Sequence, residues 1–214
     1  MKNPNTKQFW DIKNLGEERK LSRSPIFIDK NHKVASYFYG RKGKLLNIGL
    51  GHGSLEKLLI KNKSEIELFG IDISTESIKK TKDIVDGKYL VASVERIPFK
   101  DKMFDFVVEL DVLEHLGKTE LTKSLEEVKR VIKDYSIFVI SVPLNESTKD
   151  TYLNRHLNIF TESIILQLLK DTGFEIIKIH KLYAFKNYYI IKTFIAKLLR
   201  IKKPNLIIIF CRKK

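Results

Sequence analysis

Cysteine is nearly absent: Cys211 is the only one among 214 residues. A single thiol excludes an internal disulfide and any cysteine-based zinc site. Long apolar runs are missing too. No stretch reaches the ~18 apolar residues of a membrane-spanning helix. The opening segment, MKNPNTKQFWDIK, has no apolar core of the signal-peptide kind. Repeats and low-complexity blocks are also lacking, so a cytoplasmic globular protein is expected. Acidic residues are scarce: 26 Asp and Glu stand against 40 Lys and Arg, a net charge of +14. That excess favours a polyanionic partner such as nucleic acid, an anionic membrane surface or a phosphorylated substrate. A lysine-rich solvated surface gives the same total. The hydrophobic fraction of 43% is ordinary, so disorder is not indicated. The length suits one α/β domain with a full core.

The stretch that organises the chain is KLLNIGLGHGSLEKLLI, residues 44–60. Leu45, Leu46 and Ile48 form the short apolar run of a buried parallel strand. Gly49, Gly51 and Gly53 follow at every second position, and Leu55, Leu58 and Leu59 recur at helical spacing. Strand, glycine turn and helix bring free N–H groups and a bare main chain to a ligand. The spacing G-x-G-x-G differs from the G-x-G-x-x-G turn of dinucleotide-binding proteins.

Further strands are predicted at 66–71, 89–92, 104–110, 136–142, 174–179 and 206–210. Helices are predicted at 30–39, 78–85, 120–132 and from Thr161 onward, with a polar loop over 143–158. Alternation of this kind demands a doubly wound, Rossmann-like, mainly parallel sheet with helices on both faces. Asp72 ends the second strand about 20 residues past the turn. There a carboxylate can accept hydrogen bonds from both hydroxyls of an adenosine ribose, with Ile73 beside it. A helix N-cap is the competing reading for Asp72, because Ser74-Thr75 and Glu76 also fit a helix start.

The segment Asn47–Gly53 resembles motif I, (D/E)-x-G-x-G-x-G, of the class I S-adenosylmethionine (SAM)-dependent methyltransferases, with Asn47 in place of the acid. The run Asp111-Val112-Leu113-Glu114-His115-Leu116, "DVLEHL", is similar to the post-strand signature of small-molecule members of the ubiquinone and menaquinone biosynthesis type. The pattern H-L-x-x-F-T followed by L-L-x-x-x-G-F-E, over 156–175, adds to it. The resemblance covers about 40–180 and the last strand. It implies a seven-stranded sheet, the last strand antiparallel between the fifth and sixth. It implies SAM as cofactor and S-adenosylhomocysteine as product. By the same resemblance Ser93 and Val94 would meet the adenine, and the backbone around Leu110 the methionine part. Residues 1–40 would form an N-terminal lid, and 41–214 the methyltransferase domain with a helical insertion at about 186–203.

Two histidines are placed for proton removal: His115 after the fourth strand and His156 after the fifth. A structural role for His115 in its turn is the alternative. Asp111, Glu114 and His115 would share one helix face and, with His156, make a mixed oxygen and nitrogen metal site. That arrangement is similar to one in metal-dependent methyltransferases acting on the terminal ribose of small RNAs; the expectation here is no metal. The expected acceptor is a hydroxyl or amine of a small molecule: a sugar, a quinone-like ring or a lipid-linked intermediate. RNA ribose methylation and a non-catalytic SAM-binding adaptor are the alternatives. Residues 187–203 form a basic amphipathic helix, which suits either an anionic membrane surface or packing over the sheet or pocket. The sequence carries no signal for oligomeric state.

Overall fold

The computed structural model describes residues 3–15, 24–61, 65–185 and 187–214. Seven strands form one sheet: β1 (Lys42–Ile48), β2 (Glu65–Asp72), β3 (Lys88–Val91), β4 (Phe104–Leu110), β5 (Ile132–Pro143), β6 (Phe174–Leu182) and β7 (Leu206–Lys213). Their order is β3-β2-β1-β4-β5-β7-β6. β1 to β5 run parallel, and β7 lies antiparallel between β5 and β6. The strand count, the parallel body and the reversed last strand all match the sequence expectation.

Eight α-helices are described: α1 (Lys7–Leu15), α2 (Pro25–Tyr37), α3 (Ser54–Lys61), α4 (Thr75–Lys82), α5 (Lys118–Val131), α6 (Thr148–Asn154), α7 (Glu162–Asp171) and α8 (Tyr189–Leu199). Alternate residues of each strand feed opposite faces of the sheet. Leu46 and Ile48 of β1 and Ile207, Ile209 and Cys211 of β7 pack with Leu125 and Val128 of α5 and Ile165 and Leu169 of α7. Leu45, Ile208 and Phe210 pack on the other face with Val34, Ala35 and Phe38 and with Leu55 and Leu59 of α3. Two apolar layers therefore clamp the sheet. They hold the carboxyl ends of β1, β2 and β4 along one edge.

Three expectations need correcting. The helix expected from 30 begins at Pro25, five residues earlier, because Ser24-Pro25 supplies an extended residue and a proline for the first turn. Its Val34 and Ala35 are fully buried, so α2 is part of the core. The segment 143–158 is not all loop. Ser147 and Asp150 cap one another's backbone N–H and start α6. Finally, the apolar stripe of 187–203 does not pack over the sheet or pocket. Thr193 and Ala196 are the buried residues of α8, and Ile191, Phe194, Ile195, Leu198 and Leu199 are exposed.

Candidate active site

The glycine turn follows β1 at the point where the strand order reverses, between β1 and β4. Gly49 has φ +79°, and a Cβ there would lie 2.5 Å from Val112 Cγ2. Val112, two residues past β4, is thus pressed directly onto the turn. Gly51 has φ +57° and nothing within 4 Å of the Cβ position, so its flank is open. Its N–H donates to Asp72 Oδ2 at 3.1 Å, and Ser74 N–H donates to Oδ1 at 2.8 Å. Turn and acid therefore meet, as the spacing predicted. Burial raises the Asp72 pKa, and its two backbone donors oppose that rise. Ile73 is half-buried beside it, and Gly53, also at positive φ, leads into α3.

Asn47 does not face the turn as a free group. Its amide donates to Glu56 Oε1 of α3 at 2.6 Å, and both side chains are buried. This explains the missing motif I acid. A second carboxylate at 47 would stand against Glu56 in a dry site, where like charges repel strongly. Glu56 is itself pushed up to about 7 by burial. Ser93 also turns inward: its hydroxyl accepts from Glu95 N at 3.2 Å and closes its own turn. Val94 and Leu110 are half-buried and pack against the two apolar layers, with Leu110 opposite Ser141 at the end of β4.

A second polar group lies beyond β4 and β5. Lys30 of α2 is buried and ion-paired with Asp111, whose other oxygen accepts from Ser141 Oγ at 2.6 Å. Asp111 adopts φ 55°. The expected sharing of a helix face by Asp111, Glu114 and His115 is therefore overturned. The helical part is a single turn, Leu113–His115, and Asp111 lies before it, bound by Lys30 and Ser141. Glu114, His115 and His156 do come together, with ligand atoms within 4.8 Å of one another. Glu114 O accepts from the backbone N–H of Leu157 and Asn158, and the Asn158 amide bridges Leu113 O and Leu116 O. The "EHL" turn and the "HLN" segment are thus one unit.

His156 Nδ1 sits 2.6 Å from Glu146 Oε2, both nearly buried. The His115 and His156 rings meet edge-on at 4.6 Å, and Trp10 stands edge-on to His115 at 4.9 Å. Burial, with His156 and Lys13 nearby, pushes His115 down to about 3, so its imidazole is neutral. Glu114 is raised well above the usual carboxylate range by burial and by Asp111.

Helix α1 spans both groups. Asp11 Oδ1 accepts from Ser74 Oγ and from the N–H groups of Thr75 and Glu76 at the start of α4. Asn14 binds Ser77 Oγ at 2.8 Å. Before the helix, the Asn5 amide donates to His115 O and Arg155 O. Lys30, Glu146 and Asp11 were not singled out from the sequence. Each lies on an element with no motif of its own, and its partner is more than nine residues away in the chain.

The family described as "Methyltransferase domain" matches residues 46–140, which hold the glycine turn, Asp72, the "DVLEHL" run and most of β5. Uncharacterized protein MJ1123 of Methanocaldococcus jannaschii is 30% identical over 146 residues, 64% of this chain and 67% of that protein. Demethylmenaquinone methyltransferase of Thermotoga maritima is 24% identical, covering 62% of this chain and 70% of its own length. The N-methyltransferase NodS from Bradyrhizobium japonicum WM9, solved with S-adenosylhomocysteine, superposes with a TM-score of 0.75 at 12% identity over 98% of both chains. Residues 46–140 are a methyltransferase domain, and the chain has the fold of the SAM-dependent methyltransferases. It spans from 36% to 70% of the length of the curated relatives it matches. NodS binds S-adenosylhomocysteine, the demethylated form of SAM. This chain's own residues fit such a ligand: the flank of Gly51 is open, and the Asp72 carboxylate that accepts the Gly51 N–H stands beside it.

Proposed function

We propose that this methyltransferase acts on an oxygen or nitrogen of a small molecule: a sugar, a quinone-like ring or a lipid-linked intermediate. SAM supplies an activated methyl group on a sulfonium. In this reading Gly49, Gly51 and Gly53 cradle the cofactor, Asp72 holds its ribose with Ile73 alongside, Ser93 and Val94 border the adenine, and Leu110 the methionine part. Asn47 acts from behind by keeping Glu56 in place. Helix α1 is the lid, since it touches both the cofactor edge and the histidine pair.

The observation that carries the reading is the Glu146–His156 contact of 2.6 Å. With Nδ1–H donated to the carboxylate, the lone pair of His156 lies on Nε2, ready to take the acceptor's proton. Glu146 also stabilises the imidazolium that results. His115, neutral and edge-on to His156, lines the same space without adding charge near a cationic sulfonium. The test is mass-spectrometric detection of a methylated product from cell extract. His156→Gln should lower kcat by roughly 100-fold or more, with S-adenosylhomocysteine binding unchanged. An unchanged kcat overturns the role of His156.

A second reading has one observation in its favour, the three converging ligand atoms of Glu114, His115 and His156. A divalent cation held there would suit an RNA ribose as acceptor, and the net charge of +14 suits RNA. Glu146 would then orient a liganding histidine, as outer carboxylates do. Activity that survives EDTA removes this version.

A further inference from the structure

Helix α8 is built inside out. Its buried residues are the small Thr193 and Ala196. At 3.6 residues per turn, Ile190, Ile191, Phe194, Ile195, Leu198 and Leu199 fan over the opposite half of the helix. Phe194 is 66% exposed and Leu198 67%. Lys192 and Lys197 fall at the two margins of that apolar half, where it meets the protein. The helix is tied down at its start by the Tyr189 hydroxyl, which donates to Asp29 of α2 at 2.9 Å.

The chain segment that contains it carries charge of one sign. From Ile176 to Lys214 the chain has eleven Lys and Arg and no Asp or Glu. A cavity of about 860 Å³ opens beside the end of α8, lined by Lys181, Lys197, Arg200, Lys202 and Lys203 among others. Lys181 pairs with Glu162, and Lys202 donates to Ala184 O. Among the described residues Lys197, Arg200 and Lys203 have no carboxylate within ion-pair reach. The position is also particular. β6 ends at Leu182 opposite Leu206, and Leu206 in turn faces Pro143 at the end of β5. Helix α8 therefore rises from the same sheet edge as the glycine turn.

We propose that α8 and the basic cavity at its end dock the protein on an anionic lipid bilayer. The helix lies in the headgroup plane, its apolar half reaches the acyl boundary, and the flanking lysines and the cavity take lipid phosphates. No helix among the described residues is long and apolar enough to cross a membrane, so the contact is peripheral. Charge decides between occupants. A second copy on this face would bring two sets of Lys197, Arg200 and Lys203 together. A nucleic acid would meet the cations and leave six large apolar side chains in water. An anionic bilayer satisfies both. The docking does not depend on which acceptor is methylated.

The test is flotation of the purified chain with phosphatidylcholine vesicles and with vesicles of equal parts phosphatidylcholine and phosphatidylglycerol. S-adenosylhomocysteine calorimetry on the same samples reports the fold and cofactor site separately. Binding to the anionic vesicles should exceed that to the neutral ones by about tenfold or more at low salt and fall as salt rises. Phe194→Asp with Leu198→Asp should abolish it, and Lys197→Gln with Lys203→Gln should weaken it about tenfold, with calorimetry unchanged in both. Equal binding to the two vesicles, no binding to either, or binding that survives the two aspartates overturns the proposal. So does a dimer dissociated by the aspartates without any flotation, or retention by RNA alone.

Discussion

Two buried carboxylic acids set the acid–base behaviour of single residues. Burial pushes both Glu56 and Glu109 up to about 7, although Asn47 and Ser124 donate to them. In the unfolded chain each would titrate near the ordinary 4.5. Between pH 4.5 and about 7 the folded state therefore holds more protons than the unfolded state, and stability falls as pH rises through that window. Above about 7 each charged group costs a few kcal/mol, roughly 3 at most. Glu109→Gln keeps the Ser124 hydrogen bond and removes the titration. It should flatten part of the slope and raise the denaturant midpoint at pH 8, as urea melts across pH would show. Asp72 makes a different prediction. Asp72→Asn keeps the size and loses the charge-assisted acceptor for ribose hydroxyls, so S-adenosylhomocysteine affinity should drop about tenfold or more by calorimetry.

Elements were legible where periodicity is strong. Leu45, Leu46 and Ile48, the FDFVVEL strand and the Ile164–Leu169 helix face carried their own signal. The 206–210 run did the same, although β7 extends three residues further. Helix α6 was missed because Thr151 is its only buried residue, leaving no apolar stripe; the Ser147-x-x-Asp150 cap was the sign available. The acidic and glycine positions of the cofactor side could be read because strand ends and turn spacing fix them. The acceptor side could not, since Lys30–Asp111 joins residues 81 apart and Glu146 meets His156 only across α6, which has no apolar stripe. Asp111 shows the limit: three letters at helical spacing imply a helix face only where a helix forms, and here the residue lies before the helical turn, bound by Lys30 and Ser141. For α1 the decisive residue is Asp11, which caps α4 from outside. Asp11→Ala should cost about 1 kcal/mol of stability, as loss of an N-cap does. It should also make the first fifteen residues the earliest site of limited proteolysis.

The whole molecule is a clamped sheet whose ligand edge also carries α8 and the basic cavity beside it. Binding at that edge should be felt globally. S-adenosylhomocysteine at 100 times its Kd should add about 2.7 kcal/mol of stability, a rise of roughly 5–10 °C in Tm for a domain of this size. Differential scanning fluorimetry would show it, and Asp72→Asn should show a smaller shift at equal ligand.

The reversed strand β7 bears on how the protein is made. Residues 206–213 leave the ribosome after both of the strands they separate, β5 and β6. Until they emerge, the nascent chain holds two unpaired strand borders facing a gap one strand wide. A transcript broken upstream of codon 206 therefore yields a sticky half-sheet for chaperones and proteases.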